Sequence, residues 1–165
     1  MKDKIFLGID PGLNKTGWGF ISCINVNSFQ YIASGIIKTN KTLKQAERLL
    51  HIYNGVTEIV ETFKPNFSAI ENTYVNANYE SSLKLAQGKG SSLIALAQKG
   101  LCINEYPAKT IKKVVTGLGN ASKDQVKKMV EVLLPSKHTT SHDENDALAI
   151  AICDLLSRTM KSMSL

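Results

Sequence analysis

The stretch KIFLGIDPG, residues 4–12, runs an unbroken apolar segment into a single carboxylate and then breaks. Ile5 to Ile9 has the composition of a strand buried on both faces. Asp10 closes it, and Pro11-Gly12 turns the chain at once. What a lone acid does at the rim of a core strand is the first question this sequence poses.

Working outward, Thr16–Ser22 predicts a second strand, joined to the first by the turn Pro11–Asn14. Residues 29–38 predict a third, interrupted near Ser34-Gly35, with Asn25–Ser28 as the turn before it. Short connections between three strands predict an antiparallel meander. The period then changes. Leu49, Ile52, Tyr53, Val56, Ile59, Val60 and Phe63 recur at helical spacing within 43–63, and Lys64-Pro65 ends that helix. Phe67–Ile70 predicts a fourth strand, stopping on Glu71. Residues 81–99 predict a helix, with Gly88 and Gly90 inside it, and 101–106 a fifth strand. Residues 107–115 and 123–134 predict two helices split by Gly117-Leu118-Gly119, and 143–156 a last one. The order βββαβαβααα fits an α/β fold in which a mixed sheet carries helices on both faces. No linker, repeat or low-complexity tract divides the chain.

Composition narrows the class. A chain of 165 residues fits one domain, and 43% hydrophobic residues exclude a disordered one. The net charge of +6 and pI of about 9.2 favour a polyanionic partner. No apolar run reaches membrane-spanning length, and Met1–Lys4 lacks the apolar core of a signal peptide. Cys23, Cys102 and Cys153 match no metal spacing and predict reduced, buried thiols in a cytoplasmic protein.

Four acids stand at odd places. Asp10 ends the first strand and Glu71 the fourth, while Asp143 and Asp146 open the last helix three residues apart, on one face. Each alone has an ordinary structural reading, as a turn residue, a solvated strand end, a helix N-cap or a first-turn acid. Were the first and fourth strands neighbours, all four would share one end of the sheet. Two like charges about 4 Å apart repel by about 4 kcal/mol at an effective dielectric near 20, so such a cluster calls for protons or cations. Oxygen-only ligands select hard cations such as Mg²⁺ or Mn²⁺. With these four acids withdrawn, the rest of the chain carries +10. An acidic metal site on a basic body suits phosphodiester cleavage.

These residues also carry a resemblance. GIDPGLNKTGWG (8–19), AIENTYVNAN (69–78), SSLKLAQGKG (81–90), KTIKKVVTGLGNASKDQV (109–126) and HDENDALAIAIC (142–153) resemble, in order and spacing, the motifs of the RuvC family of bacterial Holliday-junction resolvases, nucleases of the RNase H-like superfamily. The resemblance runs essentially end to end. It implies an RNase H-like fold, a five-stranded mixed sheet flanked by helices, in a domain spanning 1–158 with a short tail at 159–165. It implies paired symmetrical nicks in four-way junction DNA, in recombination and repair, leaving 5′-phosphate and 3′-hydroxyl ends.

Residue by residue, the resemblance makes Asp10, Glu71, Asp143 and Asp146 the catalytic acids, holding two Mg²⁺ ions for which Mn²⁺ substitutes. Some relatives have His where this chain has Asp143. Tyr74 matches a family aromatic that stacks on a base of the opened junction, although the family more often reads EQVF where this chain has ENTY at 71–74. A base stack contributes about 1–3 kcal/mol. Lys112 and Lys123 match lysines near the scissile phosphate, and Lys109, Lys113, Lys127 and Lys128 crowd the same region. These would contact DNA backbone rather than read its sequence. The small residues of 81–99 fit either packing on the chain's own sheet or a homodimer interface. The resemblance favours the homodimer, and it adds a RuvA–RuvB branch-migration complex as partner. An actin-like ATPase also carries a GIDPG-type loop, but its two lobes exceed 165 residues. An RNase H-like nuclease acting on RNA and a non-catalytic junction-binding module are the other readings. Cleavage of RNA–DNA hybrids would mark the first, and the acidic quartet argues against the second.

Overall fold

Alternation along the first strand sets the layout of the molecule. In β1 (Lys4–Asp10), Leu7 and Ile9 point into one hydrophobic layer and Phe6 into the other. The two-residue period puts Gly8 and Asp10 on the Phe6 side. The computed structural model describes residues 4–25, 28–72, 79–136 and 141–163. It places β1 at the centre of a five-stranded sheet. β2 (Lys15–Asn25) and β3 (Ser28–Lys38) follow on one side as an antiparallel meander. β4 (Phe67–Asn72) and β5 (Ile103–Pro107) lie parallel to β1 on the other, giving the order β3-β2-β1-β4-β5.

β2 and β3 are longer than their apolar cores suggest, and β3 is uninterrupted. Ser34 and Gly35 stay in the ladder opposite Gly19 and Trp18. Gly35 is there for space: a Cβ on it would lie 2.4 Å from the Trp18 ring. The irregularity comes earlier, where Phe20 pairs with Ala33 but Ile21 with Tyr31, leaving Ile32 as the extra residue of a bulge.

The Leu7 side of the sheet is covered by α1 (Gln45–Phe63) and α2 (Tyr79–Gln98), packing Ile52, Val56, Ala95 and Leu96 onto Leu7, Ile9, Phe20 and Ile70. α1 ends as its Lys64-Pro65 signal predicts, with Lys64 in the left-handed region at φ 49°. Asn66 then clasps β1, its amide donating to the Ile5 carbonyl and its side-chain oxygen accepting from the Ile5 amide, each at 2.8 Å. That clasp starts β4 alongside β1.

The other side is covered by α5 (His142–Met163), itself roofed by α3 (Ala108–Thr116) and α4 (Lys123–Leu133). Sheet beneath and helices above explain why Ala147 to Leu155 is buried without a break. α5 continues past Leu156, where the sequence predicts its end. Beyond that point a more polar run hides the apolar stripe, while Arg158 donates to Asp154 one turn back at 3.0 Å.

Asp154 is a fully buried acid that sequence reading passed over. It accepts hydrogen bonds from Asn104 (2.7 Å) and Tyr106 (2.9 Å) and so pins β5 to α5. The expectation of three buried thiols also needs correcting. Cys153 is buried, Cys23 half-buried and Cys102 exposed, because Cys102 precedes β5 rather than lying in it.

Candidate active site

Register and close packing bring the four sequence-predicted acids to one rim. β1 and β4 pair Gly8 with Ala69 and Ile9 with Ile70, so Asp10 and Glu71 come next in line on adjacent parallel strands. On its other side Asp10 pairs with Gly17 of β2. Gly8 and Gly17 let α5 press its backbone onto the sheet. A Cβ on Gly17 would lie 2.3 Å from the Asp143 carbonyl oxygen, and one on Gly8 2.0 Å from that of Ala147. The first turn of α5, with Asp143 and Asp146, therefore hangs directly over Asp10.

The electrostatics follow from that geometry. Burial pushes the Asp10 carboxyl up to about 8, with the neighbouring charges of Asp146, Glu71 and Asp143 adding to the effect and Lys123 opposing it. Glu71 is raised by burial and then by Asp146, against Lys123, Lys112 and Lys89. Asp146 is raised by burial and by Asp143, against Lys123, His142 and Lys112. Among the described residues no N–H or O–H donates a hydrogen bond to the side-chain carboxylate of Asp10 or Glu71. Buried carboxylates without donors are costly unless something else compensates them.

A hard divalent cation fits this donor set: oxygen only, close to negative and half-shielded from water. Among the described residues no three His, Cys, Asp or Glu side chains are drawn in around a common point.

The two sequence-predicted lysines take different positions beside the acids. Lys123 lies 3.8 Å from Asp146. A reciprocal cap places it there: the Ser122 hydroxyl accepts from the Gln125 amide at 3.2 Å, and the Gln125 side chain accepts from the Ser122 amide at 2.8 Å. Lys123 is thus fixed as the first residue of α4. Lys112, on α3, acts on Glu71 and Asp146 through its field. Tyr74 lies outside the described residues.

Two lysines that sequence reading missed also belong here. Lys15 stands 3.7 Å from Asp143, and Lys89 bonds Asn72 at 2.9 Å and pairs with Glu105 while its field reaches Glu71. The ladder pairs Lys15 with Lys38, and the packing of α2 sets Lys89. Both lie inside quoted motifs, 8–19 and 81–90, but nothing local marks either lysine as facing the acids. The Lys15 and Lys123 pairs are solvent-exposed, so they contribute little to stability and leave both ammonium groups free to change partner.

Lys123 holds down the proton affinity of three acids. Lys123→Ala is therefore expected to raise all three further and to move the acid limb of a pH–rate profile to higher pH. Lys112→Ala is expected to move it the same way by less, since its effect on Glu71 and Asp146 is smaller than that of Lys123. Rates measured from pH 5.5 to 9 check both. An unmoved limb in Lys123→Ala would contradict the field argument.

Comparison with known proteins bears on the whole chain. A family model described as "Crossover junction endodeoxyribonuclease RuvC" matches residues 6–154. The crossover junction endodeoxyribonuclease RuvC of Brucella suis (strain ATCC 23445 / NCTC 10510) is 42% identical over 154 residues, 93% of this chain and 88% of its own. That of Rhizobium leguminosarum bv. trifolii (strain WSM2304) is 39% identical over 157 residues, 95% and 92% of the two chains. Among solved structures, T. thermophilus RuvC in complex with Holliday junction substrate superposes with a TM-score of 0.90 at 26% identity, over 96% of this chain and 97% of that one. The yeast mitochondrial Holliday junction resolvase, at TM-score 0.65 and 16% identity, shares the fold.

Proposed function

The chain belongs to the RuvC family of crossover junction endodeoxyribonucleases, and on that premise we propose that it resolves four-way DNA junctions at the rim occupied by Asp10, Glu71, Asp143 and Asp146. The observation that carries this reading is Asp10. It is a carboxylate at the end of a core strand, raised to about 8 and facing three more acids, on a protein of net charge +6.

Two Mg²⁺ ions, or Mn²⁺ in their place, held by these four carboxylates would supply an activated water and stabilise charge on the leaving 3′ oxygen. The chain's own groups do the rest. The β1–β4 pairing and the backbone contact of α5 hold the backbone that carries the four carboxylates at one rim. Lys123 and Lys112 face the same rim and attract the scissile phosphate. The products are a 5′-phosphate and a 3′-hydroxyl. Tyr74, on the segment after Glu71, stacks on a base of the opened junction. Tyr74→Phe retains that stack and Tyr74→Ala loses it.

Paired cuts require two sites in matching orientation, which a two-fold dimer supplies. Support for a dimer through α1 and α2 comes from Leu50, Leu83 and Ile94, each more than half exposed, and from a groove along Leu49, Tyr53 and Gly90. Ile94→Asp is expected to shift sedimentation from dimer to monomer and to uncouple the two nicks without unfolding the chain. A dimer that persists unchanged would move the interface elsewhere. No helix among the described residues is long and apolar enough to cross a membrane. We place the protein in the cytoplasm, working with a RuvA–RuvB branch-migration complex in recombination and repair.

The test is a synthetic four-way junction with Mg²⁺, beside linear duplex and an RNA–DNA hybrid. Symmetrical, ligatable nicks in the junction, with little cutting of the other two, are expected. Equal cutting of linear duplex or hybrid would overturn the junction reading.

A further inference from the structure

A cleft of about 490 Å³ opens between the loop that leaves β1 and the loop that leaves β3, lined by Lys15, Lys38 and Lys41. Its floor is built. Arg48, only 8% exposed, reaches from α1 to donate to the Asn14 side chain, to the Leu13 carbonyl at 3.3 Å and to the Thr39 hydroxyl at 3.0 Å. Thr39 in turn donates its hydroxyl to the Leu13 carbonyl at 2.6 Å and its amide to the Asn14 carbonyl at 3.1 Å. The two loops are therefore stapled at a fixed distance by a buried cation.

Among the described residues no carboxylate lines this cleft. Lys38 and Lys41 are exposed, and among the described residues neither makes an ion pair. Lys38 and Lys41, with Lys15 held 3.7 Å from Asp143 at the cleft's edge, form a concave positive surface that concentrates a polyanion. Its position gives it a use. Lys15 and Lys38 are paired across β2 and β3, and Lys15 lies 3.7 Å from Asp143, so the cleft opens onto the acidic rim from the β2–β3 side. Lys112 and Lys123 approach the same rim from the roof formed by α3 and α4.

We propose that the Lys15–Lys38–Lys41 cleft grips backbone phosphates of the DNA strand on the β2–β3 side of the cut. The substrate is then held on two flanks of the acids. The ligand class is the phosphodiester backbone, with no base read, so the contribution is independent of sequence. This rests on the junction-nuclease reading above.

The experiment measures junction binding against salt in an Asp10→Asn background, which removes cutting. Each phosphate contact contributes about 0.9 to the slope of log affinity on log salt. Lys38→Ala combined with Lys41→Ala is expected to weaken binding and lower that slope by about 1.8, equally on junctions of different sequence. Lys99→Ala combined with Lys161→Ala removes the same charge at the opposite rim and should leave the slope unchanged. Equal slopes for the two double variants would overturn the cleft while leaving the nuclease reading intact. Failure of the Asp10→Asn parent itself to bind junctions in preference to duplex would overturn both.

Discussion

Asp10→Asn is expected to abolish junction cleavage and, at pH 8 without divalent cation, to raise the melting temperature. The activity loss should exceed about 100-fold, since loss of a metal's outer-shell partner alone typically costs 10–100-fold. The gain in stability follows from linkage. Asp10 is raised from 3.8 to about 8, by burial first and then by Asp146, Glu71 and Asp143. The native state thus holds this proton more tightly than the unfolded chain does. The stabilising contribution is fully present below pH 3.8 and is lost as pH rises through about 8. Wild-type melting in chelator should fall between pH 5 and 9. The Asn variant, which carries no charge to bury, should fall less. Excess Mg²⁺ should raise wild-type melting at pH 8 and the variant's little. An Asn variant less stable than wild type at pH 8 in chelator would contradict this assignment.

Gly8→Val should be the most damaging change in the core. The obstruction is main chain on two sides: a Cβ would lie 2.0 Å from the Ala147 carbonyl oxygen and 2.5 Å from the Ala151 nitrogen. Neither can swing away as a side chain could, so α5 must lift. Overpacking costs about 1–3 kcal/mol and occasionally more. For a chain of this size each kcal/mol lowers melting by about 2–4 °C, so a fall on the order of 10 °C is expected. Lifting α5 also carries Asp143 and Asp146 away from Asp10. Cleavage should therefore fall further than the folded fraction does, as circular dichroism and single-turnover rates on the same sample would show. A variant that melts like wild type would mean that α5 does not rest on Gly8.

Most of the fold is legible in the sequence because its signals are local. The apolar run to Asp10, the helical period of 49–63 and the Lys64-Pro65 stop each act within a few residues. What escapes is set by contacts distant in the chain. Gly35 reads as a strand break until the Trp18 ring is seen over it. The tail of α5 reads as coil because its exposed residues need no apolar stripe. The acids are legible as a set only if β1 and β4 are neighbours, and no local pattern states that pairing; the Asn66 clasp and the sheet register supply it. Lys15 and Lys89 lie inside quoted motifs, yet their place at the rim escapes for the same reason, since only strand register or helix packing brings each there. Asp154 was hidden by type, since an acid within an apolar helix reads as exposed until Asn104, Tyr106 and Arg158 close around it.

The most direct test of the central claim, that four carboxylates at one sheet rim hold the catalytic cations, is a Mn²⁺ titration followed by electron paramagnetic resonance. Wild-type protein bound to an uncleavable four-way junction and its Asp10→Asn variant are compared at pH 7.5. Two ions per chain are predicted in the wild type, with the tight-binding component lost in the variant. Unchanged stoichiometry and affinity in Asp10→Asn would show that the cations bind elsewhere.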